Sequence, residues 1–453
     1  MAKSPSQSPK EEKDMAFQSL RKAGILKTLS SALIEPACGV GIIPDTDKAY
    51  RPAYGYLQPM SKSTYDVAIV GGGIVGVSIG IALLNSKKNL RVLLVEKENS
   101  QGLHASGRNS GVLHAGFYYS PDSLKAKFCR DGNEQIRILC KKNNLPILEC
   151  GKVVVTQDIS EEKQLDVLLG RGTTNGVALE ILEASDLRKY EPLAQTYKRF
   201  LWSPNTAVAD PGRVIKTLTD EFVRKGGEIQ LGRKLKIVRN QNKVKIANAP
   251  INAKHVINTA GANADLIAKQ VGLAMNYAMI PFAGIYRVVT NEKIPLQRLV
   301  YPVPHPINPF LGVHFTKTVD GKTKIGPTAI PIFGREQYRW NQGWNLKDMK
   351  EMIVGSYSIA KGKSHSLTSM IGREWPKFLE SRLIRDAAKL VPTAREVNGW
   401  TKRPPGIRAQ LVELSTGKLE QDFVVESFLN STHVLNAVSP GWTSAPNAQV
   451  GSA

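Results

Sequence analysis

The chain has 453 residues, 42% hydrophobic and 22% charged, a balance that suits a soluble globular protein of two or three domains. No run of about 18 apolar residues occurs, which excludes a membrane-spanning helix. The formal net charge is +22, yet residues 1–64 hold nine Lys/Arg against six Asp/Glu, so most of the excess belongs to the rest of the chain. These basic residues are scattered, with no Arg-rich run alternating with aromatics. That pattern argues against a nucleic-acid partner and for an acidic small molecule, or loose contact with a membrane surface.

Residues 1–63 read as an extension, because no strand pattern precedes Tyr65. Within it, Met15 to Ile34 carries three basic residues and no acid, a composition that suits an amphipathic organelle-targeting helix. Glu11, Glu12 and Asp14 just before it argue the other way. A start at Met15, a surface helix and a disordered tail all stay open. The folded part opens with a strand at 65–70, a glycine turn, an apolar helix to about Leu84 and a second strand at 91–95. Such a β-α-β unit implies a parallel sheet with crossover helices. Further along, 152–156, 228–238 and 255–259 read as strands, and 160–170 and 212–225 as helices. Residues 300–330, rich in Pro, Gly and β-branched types, read as antiparallel sheet, and helical patterns return between 346 and 391. Cys38, Cys129, Cys140 and Cys150 form no CxxC pair and have no His at ligand spacing, so free thiols and no metal site are expected.

Gly71-Gly72-Gly73-Ile74-Val75-Gly76 fits GxGxxG and falls between the first strand and its helix. Gly71 permits the tight turn, Gly73 the approach of a pyrophosphate, and Gly76 close packing of helix on strand. Glu96 closes the second strand twenty residues beyond Gly76, where a carboxylate can accept from a ribose. Three further small-residue loops follow: Ala105 to Gly111, Asn258 to Asn263, and Pro404 to Arg408. A fourth runs from Ser439 to Ser444. Loops of this kind spread over the whole chain suggest one extended cofactor held along its length, FAD in place of NAD. The contacts expected for it are Gly71, Gly73, Ile74, Val75, Gly76, Glu96, Lys97, Ser106, Gly107, Arg108, Asn109, Ser110 and Gly111. Val238, Ala260, Gly261, Gly406, Gly441 and Thr443 complete the set.

With YDVAIVGGGIVG at 65–76, NSGVLHAGFYYSPDSLKAKFC at 109–129, Pro281, Phe282, Gly284 and Tyr286, the 301–327 stretch and GIRAQ at 406–410, the chain resembles the D-amino-acid-oxidase-like FAD-dependent oxidoreductases. Within them, 109–129 and 301–327 are most similar to members that oxidise L-2-hydroxyglutarate. Arg108 stands where a His is usual before NSG, and SPGWTSA at 439–445 replaces a richer Ala/Ser version. The resemblance implies an α/β fold in which a Rossmann-like FAD-binding domain (64–110, 200–265, 396–453) interleaves with an α+β substrate domain (111–199, 266–395) built on a mixed or antiparallel sheet. It also implies oxidation of a small anionic 2-hydroxy acid by hydride transfer to flavin N5, with a quinone or an electron-transfer protein as acceptor. Localisation would be the mitochondrion in a eukaryote, and otherwise the cytoplasm or the periphery of the inner membrane.

Such an oxidation needs a base for the hydroxyl proton and cations for the carboxylates. His114 and His314, each inside a matching stretch, are the candidate bases, since histidine titrates near neutral pH without heavy tuning. Arg408 is the candidate carboxylate clamp, and Lys125, Tyr118, Tyr286 and Tyr301 are candidate lining residues. Two alternatives remain at this stage: an amino-acid or amine oxidase of the same family, and a non-catalytic flavoprotein subunit.

Overall fold

A computed structural model describes residues 63–304, 311–339, 341–361 and 374–446. The targeting segment Met15 to Ile34 lies outside them. Two sheets organise the chain. The first has six strands in the order Val424–Phe428, Ser431–Leu435, Ile251–Asn258, Ser63–Val70, Val92–Val95, Glu228–Gln230. Its strands run parallel except for the outermost pair, Val424–Phe428 against Ser431–Leu435.

Parallel strands buried on both faces need near-continuous apolar sequence, and VAIV and VLLV supply it. One face packs on the helix Ile74–Ser86, apolar almost all round because the helix Pro211–Arg224 covers its far side. That second helix starts where Asp210 accepts hydrogen bonds from the Gly212 and Arg213 N–H groups, with Pro211 in its first turn. It buries Val214, Ile215, Leu218 and Phe222 on one side. A Cβ on Gly80 would lie 2.5 Å from the Phe222 ring, so glycine sets how closely the two helices approach.

Register decides where the site forms. Val70 pairs with Val95 on one side and Asn258 on the other, so Gly71, Glu96 and Thr259 leave the sheet at one carboxyl edge. That edge is where open parallel sheets bind ligands.

The larger sheet, mixed and mostly antiparallel, is built around the long pair Tyr277–Thr290 and Thr401–Glu413, with Phe282 opposite Arg408. From there it continues through Lys322–Gly326, His314–Lys317, Leu299–Pro302, Lys152–Val155, Arg199–Ser203 and Glu180–Glu183. A three-stranded sheet of Val112–Leu113, Ala207–Ala209 and Ile147–Leu148 lies beside the site.

Three sequence expectations change in detail. The strand expected over 228–238 is two strands, Glu228–Gln230 and Ile237–Asn240. Gly232, at φ +68°, turns the chain between them, and the Gly232 and Arg233 N–H groups donate back to the Glu98 and Glu96 carbonyls. The strand Leu299–Pro302 pairs parallel with Lys152–Val155 on one side, whereas its other pairing, with His314–Lys317, and that of His314–Lys317 with Lys322–Gly326 are antiparallel as the composition suggests. Thr401–Glu413, grouped from sequence with the nucleotide domain, belongs to the large sheet, because its thirteen residues pair along Tyr277–Thr290. Cys129, Cys140 and Cys150 are free thiols.

Candidate active site

A cavity of about 510 Å³ runs from the carboxyl edge of the first sheet to the underside of the large one. At the first end, Gly71 has φ +113°, and a Cβ there would sit 2.5 Å from the Thr259 carbonyl oxygen; conformation and space both demand glycine. A Cβ on Gly76 would lie 2.2 Å from the Gly71 oxygen, so this residue serves packing and does not line the cavity. Gly73 precedes the helix, and the Ile74 N–H donates to Ser106 Oγ at 2.9 Å, tying the Ala105–Gly111 loop to the helix start. The Glu96 carboxylate is buried and accepts from the Gly72 N–H (2.7 Å) and the Glu98 N–H (3.0 Å). Two backbone donors fix it at the cavity wall, and acceptor capacity remains for hydroxyl groups.

Val75, Lys97, Arg108, Asn109, Ser110, Ala260, Gly261, Gly406, Gly441 and Thr443 also line this space. A Cβ on Gly261 or Gly441 would meet nothing within 4 Å, so the cavity is open beside both. The glycine cradle, the helix start and the length of the cavity fit an extended dinucleotide, and FAD would be held by these residues.

Lys97, Glu98, His104 and Glu336 form a polar knot at the cavity rim. Lys97 Nζ ion-pairs with Glu98 and, at 2.9 Å, with Glu336, and lies 3.1 Å from His104 Nε2. The Glu98–His104–Glu336 group has ligand-like spacing, but the Lys97 ammonium already supplies its cation. His104 Nδ1 meets the Tyr338 hydroxyl at 2.7 Å, and Arg108 stacks over the Tyr338 ring at 4.2 Å. The anchor of this region is Arg335, buried among Asp265, Asp348 and Glu351. Lys97 and Arg108 were expected here from sequence, whereas Glu98, His104, Arg335, Glu336 and Tyr338 were not.

The other end gathers His114, Tyr286, Tyr301, His314 and Arg408. His114 follows the short strand Val112–Leu113; its carbonyl is held by Asn133 Nδ2 at 3.1 Å and its N–H donates to Thr443 Oγ1 at 3.3 Å. His314 opens the strand His314–Lys317 and alternates with the core residues Val313 and Phe315, which leaves its ring on the cavity face. His314 Nδ1 lies 2.9 Å from the Gly312 carbonyl oxygen, which can only accept, so Nδ1 carries the hydrogen and Nε2 the lone pair. The Tyr301 ring stacks on the imidazole at 3.8 Å.

Neither histidine titrates near neutral pH, contrary to the sequence expectation. Burial, followed by the nearby Lys152 charge, pushes His114 well below the usual histidine range. Burial likewise brings His314 to about 3. Arg408, brought to the cavity by its pairing with Phe282, is pulled down by burial, with Tyr119 and Tyr286 acting in the opposite sense.

Several expected contacts lie elsewhere. Val238 is 42% exposed, paired with Lys245 in a two-stranded ribbon; Arg233, Lys234, Leu235 and Lys236 line the cavity in its place. Gly107 and Gly111 are packing glycines, their Cβ positions 2.2 Å from the Gly102 oxygen and 2.3 Å from the Ala209 oxygen. Lys125 is buried over the Phe423 ring and Tyr118 packs tilted against Phe117, and neither lines the cavity.

Comparison with known proteins agrees with this geometry. A family model described as FAD dependent oxidoreductase matches residues 66–450. The L-2-hydroxyglutarate dehydrogenase of Escherichia coli (strain K12) is 34% identical over 388 residues, 84% of this chain and 90% of that protein. The mitochondrial L-2-hydroxyglutarate dehydrogenase of Caenorhabditis elegans is 34% identical over 410 residues, 86% of this chain and 94% of that one. Among solved structures, dithionite-reduced L-α-glycerophosphate oxidase from Mycoplasma pneumoniae with FAD bound superposes with a TM-score of 0.67 at 24% identity, covering 86% and 94% of the two chains. A glycine cradle at one end of the cavity, a histidine- and arginine-lined pocket at the other and a family match over both sheets lead to one conclusion: the chain belongs to the D-amino-acid-oxidase-like family of FAD-dependent oxidoreductases.

Proposed function

We propose that this enzyme oxidises L-2-hydroxyglutarate to 2-oxoglutarate. The observation that carries the reading is the convergence of Arg408 with two neutral histidines at the cavity end remote from the glycine cradle. Relatives that bear this activity in their names, aligned over most of the chain, support it. Arg408 binds a substrate carboxylate through its planar fork. His314 accepts the 2-hydroxyl proton at Nε2, because its Nδ1–H is committed to Gly312. His114, whose Nδ1 has no hydrogen-bond partner, offers a second polar contact beside it. FAD, when bound, supplies the acceptor for the C2 hydride. A bound dicarboxylate also raises the proton affinity of both imidazoles, which offsets part of their burial.

Electrons leave to a quinone or an electron-transfer protein at a membrane surface. Support comes from the helix Leu346–Lys361, which turns Asp348 and Glu351 inward to Arg335. Its outward face carries Leu346 (82% exposed), Ile353 (59%) and Tyr357 (66%) with Lys347, Lys350 and Lys361. An apolar row among lysines suits an anionic lipid surface. No helix among the described residues is long and apolar enough to cross a membrane. In a eukaryotic source the enzyme acts in the mitochondrion, as the name of the nematode relative states for that protein.

The test is turnover of the FAD-loaded protein with an artificial dye acceptor. L-2-hydroxyglutarate should give 2-oxoglutarate faster than the D enantiomer, malate or any amino acid. Turnover confined to amino acids, with hydrogen peroxide formed in air, overturns the assignment.

A further inference from the structure

We propose that Lys152 is a positioning residue for the oxidation site: sealed behind the cavity wall among the rings of Phe117, Tyr118 and Tyr301, it holds His114 and His314 in their neutral, proton-accepting form. The proposal deepens, and rests on, the assignment of the histidines given above.

Lys152 has no exposed surface, and its Nζ has no hydrogen-bond partner. A lysine in that condition is costly, so something must compensate it. The ammonium position lies 4.6 Å from the Phe117 ring centre, 4.5 Å from Tyr118 and 4.8 Å from Tyr301. Three rings at such distances make an aromatic cage, whose π-faces favour a desolvated cation.

Strand order builds the cage. Lys152 stands opposite Leu299, and Val154 opposite Tyr301, so all four share one face of the large sheet. The three valines that follow belong to the apolar core, which makes a lysine at this place a departure from its own strand.

The cage connects directly to the site. Tyr301 offers one contact to Lys152 and stacks on His314, with ring centres 3.8 Å apart and planes 20° from parallel. Phe117 and Tyr118 belong to the segment that carries His114. The titratable and charged groups facing this cluster include His114, Tyr118 and Tyr119 from the 112–119 segment and Cys129 from the helix Leu124–Lys142. Tyr286, Tyr301, His314 and Lys324 face it from the large sheet, and Arg408 from Thr401–Glu413. None of these is a carboxylate, so among the described residues no anion in this set draws a proton onto either imidazole.

The order of protonation supports the same role. Burial lowers Lys152 to about 7, still well above His314 at about 3. As pH falls the cage takes its proton first, and that charge opposes a second one on His314 or His114.

The test uses the full-length, FAD-loaded protein with ¹³Cε1-labelled histidine, the two resonances being assigned with His114→Gln and His314→Gln. In the wild type, protonation of Lys152 near neutral pH should perturb both signals while neither imidazole titrates. In Lys152→Met both titrations should move to higher pH, and the acid limb of kcat/KM should move with them while the alkaline plateau is kept. Lys152→Arg should restore the wild-type titration. Wild-type histidine signals blind to pH near neutrality, unmoved titrations in Lys152→Met, or a lost plateau with an unmoved limb would each overturn the proposal. Should Lys152→Met lose its flavin, the wild-type titration alone decides. The histidine signals need no substrate, so failure of the hydroxyglutarate assignment would show separately, as absent turnover in a protein whose histidines behave as described.

Discussion

Arg408 combines a planar guanidinium with a place opposite Phe282, where the long strand pair delivers it to the cavity. Replacing it with lysine keeps the charge and removes the fork, so Arg408→Lys should raise KM for the hydroxy acid about tenfold to a hundredfold, the worth of one hydrogen bond to a charged group. A smaller change in kcat and unaltered flavin absorbance should accompany it, and steady-state kinetics over the two enzymes checks both. At this scale the place of His114, His314 and Arg408 on the cavity wall was legible because each sits in a recognisable stretch. Lys152 was not, although KVVVT contains the clue: a lysine leading an otherwise apolar strand. Lys125 and Tyr118 were named for their chemistry, and burial beside Phe423 and Phe117 takes them off the cavity wall. Sequence shows which side chains carry charge; it does not show which side of a neighbouring ring they lie on.

The glycine turn between Val70 and Ile74 was readable in nearly all its physics, because a tight turn and close packing leave few residue choices. Its three glycines nonetheless do different work. Gly73 is extended at φ −73° and ψ 173°, a conformation open to a β-branched residue, and its Cβ would meet only Ser106 Oγ at 3.0 Å. Gly73→Val should therefore fold with the wild-type far-UV spectrum yet purify without flavin, whereas Gly71→Val should fail to fold. Absorbance of the purified variants beside circular dichroism separates the two. The segment 228–240 was harder to read: its apolar and polar residues suit one long strand, and the turn at Gly232, held by hydrogen bonds of Gly232 and Arg233 to the Glu96–Glu98 backbone, breaks it in two. Such long-range backbone pairing leaves no local signature.

Over the whole molecule, buried ionisable groups couple folding to pH. Burial holds His255 and His433 at about 4 and His314 at about 3, whereas an unfolded histidine takes its proton near 6.5. Between those values the unfolded chain binds more protons. Their contribution to stability is therefore complete above pH 6.5 and is lost as pH falls toward 4. Lys125 and Lys152, at about 7 in place of 10.5, act in the same direction over the range from 7 to 10.5. Thermal melts should show Tm falling steadily from pH 7.5 to about 4.5, less steeply in His433→Gln. A flat profile, or a maximum near pH 5, would contradict this account of the core. The two-sheet plan could be anticipated from the first β-α-β unit and the later run of β-rich sequence. The assignment of Thr401–Glu413 to the large sheet could not, since only pairing with a partner more than a hundred residues away decides it.

On the proposed function, one cavity holds FAD at its glycine end and a 2-hydroxy dicarboxylate at its histidine end. Anaerobic mixing of the FAD-loaded enzyme with L-2-hydroxyglutarate, followed by stopped-flow absorbance, tests it most directly. The flavin band should bleach completely with one equivalent of 2-oxoglutarate formed per flavin, and not at all with the D enantiomer. A flavin band that stays intact under L-2-hydroxyglutarate but bleaches with an amino acid would contradict it.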